Sequence, residues 1–498
     1  MTATAERVAA VLDRYEAVVG IEIHCQLKTA SKMFCGCSTA YDGAAPNTHV
    51  CPVCLGLPGT LPVINRRAVE FVIATGLAIE AHVPERTQWE RKNYFYPDLP
   101  KGYQISQYAI PLAAAGRLAI ETSDGPFIVN ITRAHLEEDT AKLVHGDTVG
   151  ADGRRTTLVD FNRSGAPLME IVTEPEIRTA EQARRYAEEL QLLLRAIGAS
   201  DADMERGQMR VEANVSLRLR GEEPFGTRVE VKNMNSFRAV ERAIAFEIER
   251  QAAALDAGDP LTMETRGWDD GRQATYRMRA KETSDDYRYF PEPDLPPLHV
   301  EADWIAGVRS TLPELPAARR ARYEGLGITH YDAAVIVADP GMTGAFEAIS
   351  AAGPDLPAKE VANFVSGAHA RAAKAGGLNA AGTAGASSPD GIATLLAAIV
   401  DGRVSRPSGR ELLDRHLADG SSADALLAGA GPGPISDDEA LFGHVDAVIA
   451  ANPKAVEDYR AGKPVVGFFV GQVMKATGGA ADAARVTVLV GQRLDADA

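Results

Sequence analysis

The sequence predicts an α+β protein: a domain built on a mixed or antiparallel sheet, followed by all-helical segments. Three observations carry that expectation. Between residues 116 and 233 most apolar runs alternate with a period of two, as half-buried strands do. In and just after that stretch, Thr179 to Ala196 and Phe237 to Ala257 repeat apolar residues at helical spacing, so helices are interleaved with the strands. Beyond Pro296 and Pro297 the strand signal stops and Ala-rich helical segments take over. A chain of 498 residues has length for two or three domains. The expected divisions are 1–300, 301–374, a Gly/Ala/Ser-rich linker at 375–391, and 392–498.

Taken in order, residues 1 to 15 read as a short lead-in helix. Glu6, Arg7, Asp13 and Arg14 interrupt it, so it has no apolar core of the kind a signal peptide needs. The strand Ala17 to Leu27 follows. From Ile21 it alternates strictly, with Ile21, Ile23, Cys25 and Leu27 on one face and Glu22, His24 and Gln26 on the other. A carboxylate and an imidazole two residues apart on one side can supply two ligands to one cation. The alternative is an edge strand whose polar face meets water.

Asn65 to Ala81 has helical spacing. The runs Arg91 to Asp98 and Lys101 to Tyr108 mix aromatics, bases and amides on what reads as turn-rich backbone, and suit a binding surface. A strand at Phe127 to Thr132 leads into Arg133 to Asp139; Leu158 to Phe161 precedes Asn162-Arg163-Ser164-Gly165, and another strand covers Leu168 to Val172. Arg210 to Arg220 and Thr227 to Lys232 form a hairpin signal with one charged face, which suits a sheet lining a polar cavity. Towards the C-terminus, Ser436 to Glu439 reads as a capping box, and Asn452-Pro453 as an N-cap before a proline at the first helical position. Val465 to Thr477 is a largely apolar segment.

A net charge of −16 argues against wrapping nucleic acid over the whole surface, though it permits a local basic patch. No uninterrupted apolar run approaches the roughly 18 residues that span a bilayer, and a cytoplasmic protein without membrane partners is expected. All five cysteines lie between residues 25 and 54. Cys35-Gly36-Cys37 and Cys51-Pro52-Val53-Cys54 are two close pairs joined by a short loop, the spacing of a four-thiolate zinc site; the alternative is unrelated core cysteines. Cys25, on the apolar face of its strand, is expected to be packed.

The acidic inventory of the first domain is Glu22, Glu137, Glu138, Glu170, Glu212 and Glu230, with His24. Carboxylates with one imidazole and no thiolate suit Mg²⁺ or Mn²⁺, and Mg²⁺ usually brings substrate phosphates. For any single acid, a solvated surface glutamate is the alternative. There is no Gly-x4-Gly-Lys-Ser/Thr loop and no Gly-x-Gly-x-x-Gly after a strand. ATP, if used, has to be held by the cation and by positioned Lys and Arg. No covalent nucleophile is evident.

Several longer motifs carry a resemblance: Gly20 to Lys28, Arg91 to Asp98, His135 to Asp139, Asp160 to Gly165, Lys232 to Phe237, and Asp285 to Asp294. In that order they resemble the B subunit of the bacterial tRNA-dependent amidotransferase, over nearly the whole chain. The C-terminal Gly462-Lys463 and Val470 to Lys475 resemble its tail domain. The resemblance implies a cradle domain similar to glutamine synthetase and the guanidino kinases. It implies a reaction in which ATP-Mg²⁺ phosphorylates the side-chain carboxylate of mischarged Glu-tRNA(Gln) or Asp-tRNA(Asn). Ammonia released from glutamine by a partner A subunit then displaces phosphate, and a small C subunit completes a heterotrimer. On that reading His24 and Glu138 are the foremost cation ligands, with Glu22, Glu137, Glu170 and Glu230 or Glu212 nearby. Lys92, Arg163 and Lys232 are the bases expected at ATP, Cys35, Cys37, Cys51 and Cys54 hold a structural zinc, and the helical tail binds tRNA. A non-catalytic tRNA-binding scaffold and a stand-alone amine ligase for a small acid are the competing readings.

Overall fold

The computed structural model describes residues 3–149, 153–280, 287–375, 388–430, 438–479 and 481–496. The chain forms two compact units, Met1–Leu315 and Pro316–Ala498. The strands of the first are β1 (Tyr15–Gln26), β2 (Arg86–Thr87), β3 (Glu90–Asn93), β4 (Tyr103–Ser106), β5 (Ala113–Thr122), β6 (Gly125–Glu138), β7 (Lys142–Val149), β8 (Arg155–Asp160), β9 (Pro167–Thr173), β10 (Met209–Leu219), β11 (Val229–Met234), β12 (Glu264–Asp269), β13 (Ala274–Ala280), β14 (Phe290–Pro291) and β15 (Leu298–His299). Its helices are α1 (Ala3–Arg14), α2 (Arg66–Ala78), α3 (Ala180–Ala196), α4 (Phe237–Ala257) and α5 (Ala302–Ser310).

Eight strands make one sheet in the order β13-β12-β11-β10-β1-β9-β6-β5. β11 and β12 run parallel while the other neighbours are antiparallel, so the sheet is mixed. With the helical second unit, this is the α and β architecture that periodicity predicted. β1 lies inside the sheet, and its alternation holds: Ile21, Ile23 and Cys25 are fully buried while Glu22, His24 and Gln26 are half-buried. The apolar face shares one core with α2, α3 and α4, where Tyr186, Leu190 and Leu194 of α3 and Ile244 and Ile248 of α4 are buried. Each such Leu or Ile stabilises the fold by roughly 2 kcal/mol. Helices on one face leave the opposite face of the sheet for polar side chains.

Local chemistry fixes the helix ends. Thr179 and Gln182 form a reciprocal capping box at the start of α3. Ser236 caps α4 at Ala239, and Gly258 closes it in the left-handed region at φ +76°.

Four expectations change. The runs after Arg91 and Lys101 are not turns throughout, because β3 pairs with both β4 and β14 in a three-stranded sheet. Buried Ile105 anchors β4, and a bidentate Arg91–Glu292 pair at 2.8 Å ties β3 to the segment after β14. The strand at 127–132 continues to Glu138. The first unit extends past residue 300 because α5 packs on α2, with Trp304, Ile305 and Val308 against the core. Asn452 precedes Pro453 at the first turn as expected, yet its side chain donates to the Val448 carbonyl instead of capping. Asp285, Asp286, Ser436, Asp437 and residues 376–387 of the linker lie outside the described residues; Pro389, within the linker span, already opens a helix capped by Ser388.

In the second unit, helices Asp438–Ala451, Val466–Ala476 and Ala483–Ala496 pack around Leu441, Val445, Phe469, Val473 and Val490. Among the described residues no helix is long and apolar enough to cross a membrane.

Candidate functional site

Strand register assembles the site. On the polar face of the sheet, His24 of β1 stands opposite Glu170 of β9 on one side and Arg210 of β10 on the other, and Glu170 stands opposite His135 of β6. Glu22, two residues along β1, stands opposite Glu212. Residues far apart in sequence therefore form rows across the strands.

The first group is His24, Glu137 and Glu170, each offering a ligand atom within 4.8 Å of the others. His24 Nε2 lies 3.6 Å from Glu170 Oε2 and 3.8 Å from Glu137 Oε1, while His135 Nε2 lies 3.4 Å from Glu170 Oε2. A cation with bonds near 2.1 Å sets adjacent ligands about 3 Å apart and opposite ones about 4 Å apart, so the spacing fits such an ion. Nδ1 of His24 and of His135 are both buried without a hydrogen-bond partner, so each ring is oriented by packing and by its Nε2 contact with Glu170. Burial pushes the His24 imidazole down, but Glu170, Glu212 and Glu137 outweigh it and raise it to about 9. Burial likewise opposes ionisation of Glu170, yet His135 and His24 hold it well below the usual carboxylate range. Lys92 of β3 belongs here too: burial pushes its ammonium down, and Glu137, Tyr289 and Glu170 raise it above its ordinary value.

A second group, Glu22, Glu212 and Glu230, also places three carboxylates within 4.8 Å of one another. Asn214 Nδ2 donates to Glu22 at 2.7 Å, Lys232 Nζ to Glu212 at 2.6 Å, and Thr265 Oγ1 to Glu230 at 2.6 Å. Lys232 is pushed down by burial and raised above its usual value by Glu212 and Glu230. Since Glu22 and His24 alternate on one strand face, the two groups are about 7 Å apart along β1.

A third cluster closes the Gln26 end. Arg210 reaches Asp139 through both terminal nitrogens at 3.2 and 3.3 Å, and Gln26 Nε2 donates to it at 2.8 Å. Burial disfavours the Asp139 carboxylate, but Arg210, Arg163 and Gln26 bring it down to about 2. Arg163 lies here, with Nε and Nη2 donating to the Thr140 and Ala141 carbonyls. It does not join the acid groups that hold Lys92 and Lys232.

Glu138, expected beside His24, stands elsewhere. It follows Glu137 on β6, and consecutive strand residues point to opposite faces. It turns away from His24 to pair with Lys101 and to accept from the Ile105 amide at 3.0 Å. The acids expected around one cation thus fall into two groups, and Glu138 lies in neither. His135 and Arg210, which border these groups, were not among the expected residues; alternation through Arg133, His135 and Glu137 on β6, and through Arg210 and Glu212 on β10, was the signal available.

Cys35, Cys37, Cys51 and Cys54 bring their sulfurs within 4.8 Å of one another, with Cys51 and Cys54 Sγ 3.9 Å apart. A tetrahedral zinc with Zn–S near 2.3 Å sets sulfurs about 3.8 Å apart, so the cluster is compatible with a structural zinc. Cys25 lies apart from it, fully buried in the core.

The chain is similar to known sequences over nearly its whole length. Residues 17–306 match the family described as the GatB/GatE catalytic domain, and residues 344–494 that described as the GatB domain. The chain is 50% identical over 482 residues to the B subunit of the aspartyl/glutamyl-tRNA(Asn/Gln) amidotransferase of Moorella thermoacetica, covering 96% of this chain and 100% of that one. It is 45% identical over 494 residues to the corresponding protein of Gloeothece citriformis, covering 98% and 99%. To that of Anaeromyxobacter sp. it is 46% identical over 488 residues, covering 96% and 99%.

Proposed function

The chain belongs to the family of B subunits of the aspartyl/glutamyl-tRNA(Asn/Gln) amidotransferase, and from that premise we propose that the polar face of its sheet is where a mischarged tRNA is activated and amidated. It is one component of a glutamine-hydrolysing, ATP-dependent carbon–nitrogen ligase of protein biosynthesis. A carboxylate resists attack by ammonia, whereas its acyl phosphate has a good leaving group. The proposed sequence is therefore transfer of the ATP γ-phosphoryl group to the Glu or Asp side chain on tRNA, then displacement of phosphate by ammonia.

The observation that carries this reading is the pair of acid groups on one sheet face, each with a half-buried lysine beside it. His24, Glu137 and Glu170 would hold one Mg²⁺, and Glu22, Glu212 and Glu230 a second. Magnesium bound there supplies charge neutralisation for the phosphates as the phosphoryl group moves. His135 fixes Glu170 from behind. Lys92 and Lys232, cationic because of their acidic neighbours, are the groups expected to meet phosphate oxygens; Arg163, its donors engaged on carbonyls, is reserved for holding Asp139. The sheet is the proposed cradle, akin to that of glutamine synthetase. Ammonia would come from the A subunit of a heterotrimer completed by a small C subunit. Of the helical segments 301–374 and 392–498, the second is the proposed tRNA-binding tail. A tRNA-binding scaffold without chemistry has no use for two acid groups, each with a lysine held cationic beside it.

The test is ATP turnover by the assembled enzyme with Glu-tRNA(Gln) or Asp-tRNA(Asn), comparing wild type with Glu170→Gln. The variant should bind tRNA normally while amidated product falls by roughly 100-fold. Unchanged product formation would remove this site from the reaction.

A further inference from the structure

Lys32 is 1% exposed, and its ammonium has no carboxylate within 4.0 Å among the described residues. A buried cation without an anion is costly, and neutral hydrogen bonds compensate it poorly. Its three donors go to the His49 carbonyl at 2.8 Å, the Phe161 carbonyl at 3.3 Å and Cys54 Sγ at 3.6 Å. The sulfur is the one partner able to carry charge. Four thiolates around one zinc dication leave a double negative charge, which a half-buried site must also offset.

We infer that Lys32 is a positioning residue of the four-cysteine centre, neutralising part of its charge through Cys54 and locking the loop that carries it. The surroundings are built for that task. Gly165 passes over the lysine stem at φ +84°, where an added Cβ would lie 3.4 Å from Cys54 Cβ and 3.6 Å from Lys32 Cδ. Ser164 Oγ donates to the Cys54 carbonyl at 3.3 Å, and the Met33 amide donates to the Gly165 carbonyl at 2.7 Å. The residue next to Lys32 is thereby fixed to the loop that packs on the cysteine. The inference rests on the reading of these cysteines as a zinc site.

The experiment measures zinc content and release to a competing chelator in the purified full chain, for wild type, Lys32→Met and Lys32→Arg. Zinc affinity should fall 10- to 100-fold in Lys32→Met and stay within a few-fold of wild type in Lys32→Arg. The cobalt-substituted protein should show a displaced sulfur-to-metal charge-transfer band in Lys32→Met. With metal stripped, Lys32→Met should be no less stable than stripped wild type, since the unpaired ammonium has gone. Equal zinc affinity in wild type and Lys32→Met, or an equal loss of stability with and without metal, would reduce Lys32 to a loop staple and overturn the inference. If Lys32→Met does not fold, Lys32→Gln, which keeps donors but not charge, gives the same readouts, and unaltered affinity again overturns it. Wild type that takes up no zinc overturns the zinc reading itself, a result separate from any difference between variants.

Discussion

At the scale of single residues, adjacent glutamates on one strand have different partners. Glu137 faces His24 and Glu170, while Glu138 faces Lys101 and the Ile105 amide. Glu137→Gln should weaken Mg²⁺ binding by at least about 10-fold, while Glu138→Gln should leave it within about two-fold; calorimetric titration of the ATP-free protein distinguishes them, and equal losses would contradict the assignment. His24 gives a second prediction. Its folded value of about 9 exceeds the ordinary 6.5, so without cation its contribution to stability is full below 6.5 and lost as pH rises through 9. A cation must displace that proton, so affinity should climb with pH up to about 9. At pH 8, binding should release on the order of one proton. Titration in buffers of differing ionisation enthalpy reads this directly, and binding without proton release would place the cation elsewhere.

At the scale of elements, α3 and the cysteine loop make contrasting cases. The Thr179 capping box satisfies amides at the start of a helix that carries much of the apolar core. Thr179→Ala should cost about 1 kcal/mol in urea unfolding, without altering the site on the other face. The loop from Cys35 to Pro62 has few apolar anchors; Leu57 and Leu61 are exposed. Its order rests on the cysteines, on Lys32, and on hydrogen bonds such as the His49 amide to Asn162 at 2.8 Å. Chelation should therefore speed proteolysis within 35–62 while the far-ultraviolet signature of the sheet persists; simultaneous loss of both would mean the centre supports the whole first unit. These elements also differ in how legible they were. β1, α3, β10 and α4 were read correctly because each has a buried and an unburied face, and periodicity records that difference. β3 and β4 are short and partly polar on both sides, so their pairing left no periodic trace.

At the scale of the whole first unit, Asp139 joins the end of β6 to β1 through Gln26, to β10 through Arg210, and to the loop before β9 beside Arg163. Asp139→Asn leaves two guanidinium groups without their carboxylate and should cost on the order of 3 kcal/mol. Since the native carboxyl sits near 2 against an ordinary 3.8, its stabilisation is full above 3.8 and lost as pH falls towards 2. Acid unfolding of wild type should show that loss, and the variant should lack it. The amino-acid order alone settles local matters: which stretches alternate, which coil, where four cysteines meet, and the succession of motifs that marks the family. Folding in three dimensions was needed to show that the acids form two groups, that His135 stands beside the first of them, that Arg210 pairs with Asp139, and that Glu138 faces elsewhere. The reason is register. Periodicity assigns a side chain to a face of its own strand, but His24 and Glu170 become neighbours only when β1 and β9 pair at one particular offset. That offset is set by burial of the opposite face across the whole sheet.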